Sequence, residues 1–187
     1  MTVARMAAAR RSGRAGEAVT LQLGAATVAS AGCSVHTANA AGVSVAAFYP
    51  ADSVLTPAAA ELQRLAARFA EDGTLAAGRL HGTFLLVAHD ATRARAAVAN
   101  DRFAVCPLYA TTDGTTLRFA SDLAALVAGG TARPTVDAQA IYDYVFFHCI
   151  PAPRTIYQGV RKLGPATCLR WQDGMLDSTP YWQPGFA

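Results

Sequence analysis

The sequence predicts an α+β fold, an antiparallel sheet system covered by helices, and three features carry that prediction. Short runs of small, β-branched or aromatic residues recur between turn residues, as in 83-TFLLVAH-89 and 95-RAAVA-99. Asp-Gly pairs at 113–114 and 173–174 lie between such runs, where tight hairpins place them. Leu62, Leu65, Ala66 and Phe69 recur at helical spacing, with a proline before them and a glycine after.

Taken in order, residues 18–29 and 43–49 read as strands, with Ala41-Gly42 as the turn into the second. Pro50 closes that strand because it has no N–H to give a ladder. A helix is expected over 58–72, capped by Thr56, with Pro57 in its first turn and Gly73 as its stop. Strands at 83–89 and 95–99 follow, joined by the polar turn Asp90–Arg93. The next hairpin pairs 107–112 with 115–119 through a type I′ turn at Asp113-Gly114. Ser121 is placed to cap a short helix ending at Gly129-Gly130. Asp137 is placed to cap another that carries Ile141, Tyr144, Val145 and His148 inward. A proline-rich segment, 150-IPAPRTIYQGVRKLGP-165, leads to a last hairpin turning at Asp173-Gly174.

The length, 187 residues, suits one domain with a real core. The net charge is +3, from 16 basic and 13 acidic residues. Arg5, Arg10, Arg11 and Arg14 stand in the first fourteen residues without an acid, and residues 1–17 read as a basic disordered arm. No face combines spread cations with interleaved aromatics, which argues against nucleic acid. Cys33, Cys106, Cys149 and Cys168 are far apart, with no C-x-x-C pair and no histidine at ligand spacing. That argues against a zinc site and a disulfide framework and favours a reducing, cytoplasmic setting. No run of 18 apolar residues is available to span a membrane. The stretch 18-AVTLQLGAATVASAGC-33 faintly resembles an export signal ending in cysteine. Thr20, Gln22, Thr27 and Ser30 interrupt its apolar run, and an exported binding module stays an alternative only.

The second half is more specific. It reads L-H-G-T-F-L-L-V-A-H-D (80–90), D-R-F-A-V-C-P-L-Y (101–109) and F-A-S-D-L-A-A-L (119–126), then the proline-rich segment, W-Q-D-G (171–174) and Y-W (181–182). This order resembles the N-terminal, type 2 glutamine amidotransferase domain of the asparagine synthetase family. That family shows L-x-G-x-F-A-F-A-L-x-D, D-x-x-G-x-x-P-L-Y-Y and F-A-S-E-x-K-A-L, and ends the domain with P-x-x-x-T-x-x-x-x-x-x-L-P-P-G and a Y-W. The correspondence runs from about Glu61 to Trp182.

The resemblance implies an Ntn-hydrolase αββα sandwich of two antiparallel sheets between helices, here lacking the first strand and helix. It also implies a chemistry against which this chain can be compared. Hydrolytic members use an N-terminal cysteine whose own amine is the base. An Asn-Gly pair in an N-G-E stretch forms the oxyanion hole. An arginine grips the substrate carboxylate, and an aspartate at a helix start holds its ammonium.

Here position 2 is Thr2, and Ala25 and Thr27 fall at the family's basic pair. Tyr49-Pro50-Ala51 falls at the N-G-E stretch, and only Glu61 stands at the aspartate's place. Removing one oxyanion donor costs roughly 3–4 kcal/mol in the barrier. No catalytic residue is therefore expected, and Glu61 is the one candidate substrate contact. Asp101, Arg102, Pro107, Leu108 and Tyr109 are expected to form a structural loop, with Cys106 as filler in it.

The reading that follows has three parts. Residues 1–17 are the arm, 18–182 a degenerate glutaminase-like domain, and 183–187 a tail or truncated linker to an absent synthetase domain. The domain would act as a scaffold for an asparagine synthetase-like, ATP-dependent amide-forming domain in cis or in trans, with a homodimer as a further partnering. Its docking surface would be 141-IYDYVFFHCIPAPRTIY-157. No cofactor is expected in this chain; ATP and Mg belong to the synthetase domain. The alternative within the family is a fragment of an active glutamine-hydrolysing asparagine synthetase whose N-terminus is misread.

Overall fold

The computed structural model describes residues 18–23, 26–31, 33–128 and 134–185. The basic arm at 1–17, the helix stop at Gly129-Gly130 and positions 186–187 of the tail lie outside the described residues. Two strands, β1 (Ala18–Leu23) and β2 (Ala26–Ala31), form an antiparallel hairpin that stands as its own sheet. The single strand expected over 18–29 is therefore two. A run of small residues reads the same through a reversal as along one strand.

A second strand was not legible at all. β3 (Cys33–Ala40) pairs along its whole length with β4 (Val43–Pro50), from Cys33 opposite Pro50 to Ala40 opposite Val43. Its half-polar sequence is that of an edge strand, where one side has no neighbour. β5 (Leu85–Asp90), β6 (Arg95–Asn100), β10 (Thr167–Gln172) and β11 (Met175–Pro180) complete a six-stranded antiparallel sheet in the order β11-β10-β6-β5-β4-β3. A second sheet has the order β8-β7-β9, from β7 (Tyr109–Thr112), β8 (Leu117–Ala120) and β9 (Arg161–Lys162).

Side chains alternate across the large sheet, and each face has its own cover. Val43, Val45, Ala47 and Tyr49 of β4 pack with Leu86 and Ala88 against Leu62, Leu65, Ala66 and Phe69 of helix α1 (Ala59–Asp72). On the other face, Phe48, Leu85, Val87, Val98 and Leu169 meet Ala110, Leu117 and Phe119 of the small sheet. Behind that sheet, Leu126 of α2 (Leu123–Ala128) packs with Ala120 and Val160. The layers run helix, sheet, sheet, helix.

Several local expectations are corrected. α1 starts after Ala58, which makes no side-chain cap bond; Thr56 and Pro57 both precede the helix. Proline restricts the residue before it to extended backbone, so Thr56 cannot enter the first turn. Gly73 does end the helix, in the left-handed region at φ 74°, its N–H donating to the Phe69 carbonyl at 3.0 Å. Asp122, not Ser121, caps α2, its Oδ1 accepting the Ala125 N–H at 2.7 Å. Ser121 is buried instead.

The hairpin between β7 and β8 spans four residues, because Thr112 pairs with Leu117. Asp113 Oδ1 accepts the N–H groups of Thr115 and Thr116, and Asp113 keeps a negative φ, so no type I′ turn forms there. That geometry belongs to Asp173-Gly174, at φ 52° and 78°, where Gln172 pairs directly with Met175.

The largest correction concerns α3 (Ala138–Phe147). Asp137 caps it as expected, accepting the Gln139 N–H at 3.0 Å. Ile141, Tyr144, Val145 and His148, however, all face out, and Ala140 is the only buried residue of this helix. The helix is apolar on nearly every side, so its sequence marks no inward stripe.

Candidate functional site

Antiparallel pairing gathers several strand ends at one end of the six-stranded sheet. Cys33 starts β3 opposite Pro50, Asn100 ends β6 opposite Leu85, and Thr167 starts β10 opposite Pro180. Arg95 lies at the far end, where its Nη2 donates to the carbonyls of Phe69 and Ala70 at 2.6 and 2.9 Å. That contact pins the C-terminus of α1 to the far end and leaves Glu61, in its first turn, at the near one.

Asp101 organises this end. Its Oδ1 accepts the Phe103 and Val105 N–H groups at 3.0 and 3.1 Å, and its Oδ2 accepts that of Cys106 at 3.0 Å. Its carbonyl takes the N–H groups of Ala104 and Ala166 as well. The buried carboxylate thus folds the loop back on itself, and the backbone carbonyl of the same residue ties it to the start of β10. Ala104 holds φ 51° inside that loop. Leu108 is buried, its carbonyl accepting the Leu163 N–H at 2.8 Å, and Tyr109 opens β7.

Arg102 reaches outward: its guanidinium donates to the Gly78 carbonyl, lies 3.2 Å from His81 Nδ1, and sits 5.8 Å from the Trp182 ring centre. Phe103 meets that ring edge-on at 5.9 Å. Sequence reasoning missed Asn100, which holds the strand ends together by donating to the Gly164 carbonyl at 2.9 Å and accepting the Thr167 N–H at 3.1 Å. Tyr181 adds its hydroxyl to the Asn100 carbonyl at 2.6 Å. The available signal was an amide at the end of an apolar strand, directly before Asp101.

Glu61 accepts from Arg64 at 2.8 Å, one turn along α1. Tyr49 is 1 % exposed, its ring edge-on to His36 at 6.0 Å and tilted against Phe84 at 5.9 Å; burial pushes its hydroxyl up to about 12. Pro50 has no N–H, and its carbonyl accepts the Ser53 N–H at 2.9 Å. Burial raises the thiol of Cys33, and burial, with Cys33 and Asp101 nearby, pushes that of Cys106 up to about 12. Both thiols are held in the protonated, unreactive form. Thr2 and Ala25 lie outside the described residues, and Thr27 falls in β2 opposite Gln22. Among the described residues no group of three or more His, Cys, Asp or Glu side chains could hold a metal ion.

The arrangement is one of position rather than reactivity: a carboxylate-organised loop, an aromatic pair beside its Arg102, and strand ends locked by an amide. The model of a family described as a glutamine amidotransferase domain matches residues 57–182, which includes the whole span from Glu61 to Trp182. No curated protein matches the chain.

Proposed function

The chain belongs to the glutamine amidotransferase domain family, and from that premise we propose that it is a degenerate, non-hydrolytic member acting as a docking domain. In this reading the fold is the Ntn-hydrolase sandwich and the branch is that of asparagine synthetase. The partner is an ATP-dependent amide-forming domain, in cis or in trans, which brings the ATP and Mg.

The observation that carries the docking role is the surface of α3. Tyr142, Tyr144, Val145, Phe146 and Phe147 are all exposed, Val145 by 70 % and Phe146 by 68 %. The few polar groups of the helix are already used, since Asp143 is held by Gln139 at 2.8 Å and Arg154 at 3.3 Å. Aromatic side chains concentrated on one exposed element are the composition of an interface centre.

The loss of hydrolysis rests on the end of β4. Tyr49-Pro50 stands where the resemblance expects the oxyanion-hole pair, yet the tyrosine ring fills the core and the proline donates nothing. Each such donor is worth roughly 3–4 kcal/mol of barrier lowering. Glu61, the one candidate substrate contact, is already engaged by Arg64 at 2.8 Å.

The test pairs the chain with the amide-forming enzyme encoded nearest to it. Sedimentation velocity should show a complex that Val145→Asp/Phe146→Asp abolishes while leaving the melting temperature of the chain unchanged. Glutamine should yield no glutamate or ammonia with the chain alone. A complex indifferent to the double substitution, or glutamine turnover by the chain, would overturn the reading.

A further inference from the structure

A cleft of about 280 Å³ lies between the two sheets at their uneven edge, on the face of the large sheet opposite α1. The large sheet continues through β10 to β11, whereas the small sheet stops at β9, which is two residues long. The gap over β10 and β11 is left partly uncovered.

Strand register identifies which side chains enter it. Leu169 belongs to the core between the sheets and pairs with Ser178, so Ser178 projects from that same face. Arg161 pairs with Ala110, which is also between the sheets, so Arg161 points into the gap. Lys162 pairs with Tyr109, which packs toward α2, so its side chain leaves β9 on the other face from Arg161. Leu163, Ala152 and Pro153 supply the apolar walls.

The charges are one-sided. No acidic residue lines the cleft. Asp177, the nearest acid in sequence, is on the opposite face with Arg170 at 3.6 Å. Among the described residues neither the Arg161 guanidinium nor the Ser178 hydroxyl has a hydrogen-bond or ion-pair partner.

We propose that this cleft binds a small carboxylate, gripped by the Arg161 fork and the Ser178 hydroxyl, with a short apolar body against Leu163, Leu169 and Pro153. A guanidinium matches the two oxygens of a carboxylate. One cation against apolar walls suits a monoanion with a hydrocarbon body better than a phosphate. The volume, about 280 Å³, falls just below the roughly 300–1,000 Å³ of drug-sized ligand pockets and suits a small ligand. The cleft borders the Asp101 end through Gly164 and Thr167, and the proposal does not rest on the docking role.

Amide NMR titration of the whole chain with isocaproate tests it. Shifts should be confined to residues around Arg161, Leu169 and Ser178, with a dissociation constant on the order of 1 mM or tighter. Isocaproamide, of the same shape but neutral, and inorganic phosphate should bind at least about tenfold more weakly, as should isocaproate to Arg161→Gln. Ser178→Leu, which fills an exposed lip of the cleft, should abolish binding at an unchanged melting temperature. No shifts at these residues in roughly 10 mM isocaproate, equal binding of the amide, or undiminished binding to Arg161→Gln would overturn the assignment.

Discussion

Asp101 is 1 % exposed, yet backbone donors meet both of its oxygens. Asp101→Ala would strand the N–H groups of Phe103, Val105 and Cys106, and hydrogen bonds to a charged group are worth about 1.5–3 kcal/mol each. We expect a loss of about 3 kcal/mol or more in urea denaturation, with Asp101→Asn costing less because one acceptor oxygen survives. His89 and Asp90 give the fold a two-step acid sensitivity. Burial holds His89 below its ordinary range, against the pull of Asp90, so it stays neutral in the fold. The unfolded chain takes up that proton near pH 6.5, so stability present above it declines as pH falls through this point. Burial alone would raise Asp90, but the Arg93 N–H and the guanidinium groups of Arg95 and Arg93 outweigh it and hold the carboxyl low. Its contribution is present above about pH 3.9 and lost as pH falls from there through the lower folded value. Urea midpoints measured from about pH 8 down to about pH 3 should show both steps. His89→Gln should remove the first and Asp90→Asn the second.

Two hairpins carry the same Asp-Gly pair and fold differently, because strand length rather than the dipeptide chooses the turn. β10 and β11 pair up to Gln172 and Met175 and leave two residues, whereas β7 and β8 stop at Thr112 and Leu117 and leave four. The two tips then touch: a Cβ on Gly174, at φ 78°, would lie 2.6 Å from the Gly114 carbonyl oxygen. Gly159, at φ 72°, has open space around it. Left-handed backbone costs an L-residue about 1–2 kcal/mol, so Gly159→Ala should lose about that much and Gly174→Ala clearly more, read as melting temperatures. These elements also show where sequence reading stops. α1 was legible because its apolar residues form one stripe, while α3 offers no polar side to mark as outward, so its direction was misread. β3 hid its pairing behind the polar pattern of an edge. At the candidate site, Asp101 and Arg102 were legible from a local motif. Asn100, Tyr181 and the buried Tyr49 ring act through partners distant in sequence, and no local pattern announces those.

At the scale of the whole molecule, the layer order can be read out through the four cysteines. Cys168, on β10, belongs to the core cluster on the α1 face of the large sheet and is 4 % exposed; burial pushes its thiol up to about 12. Cys106 packs against the core between the sheets, and Cys33 lies at the edge strand. Cys149 follows α3 and is exposed. Only the thiolate reacts, so accessibility and thiol acidity act in the same direction. Iodoacetamide followed by mass spectrometry should label Cys149 promptly in native buffer and Cys33 and Cys106 slowly. Cys168 should react more slowly than the other three, because that core must open before the thiol is exposed. Native labelling of Cys168 as fast as Cys149 would mean that this core is not closed over β10. The same measurement bears on docking: a partner seated on α3 should protect Cys149 and leave the rates of the other three unchanged. Uniform slowing of all four would instead report a general gain in stability, with no contact at the helix.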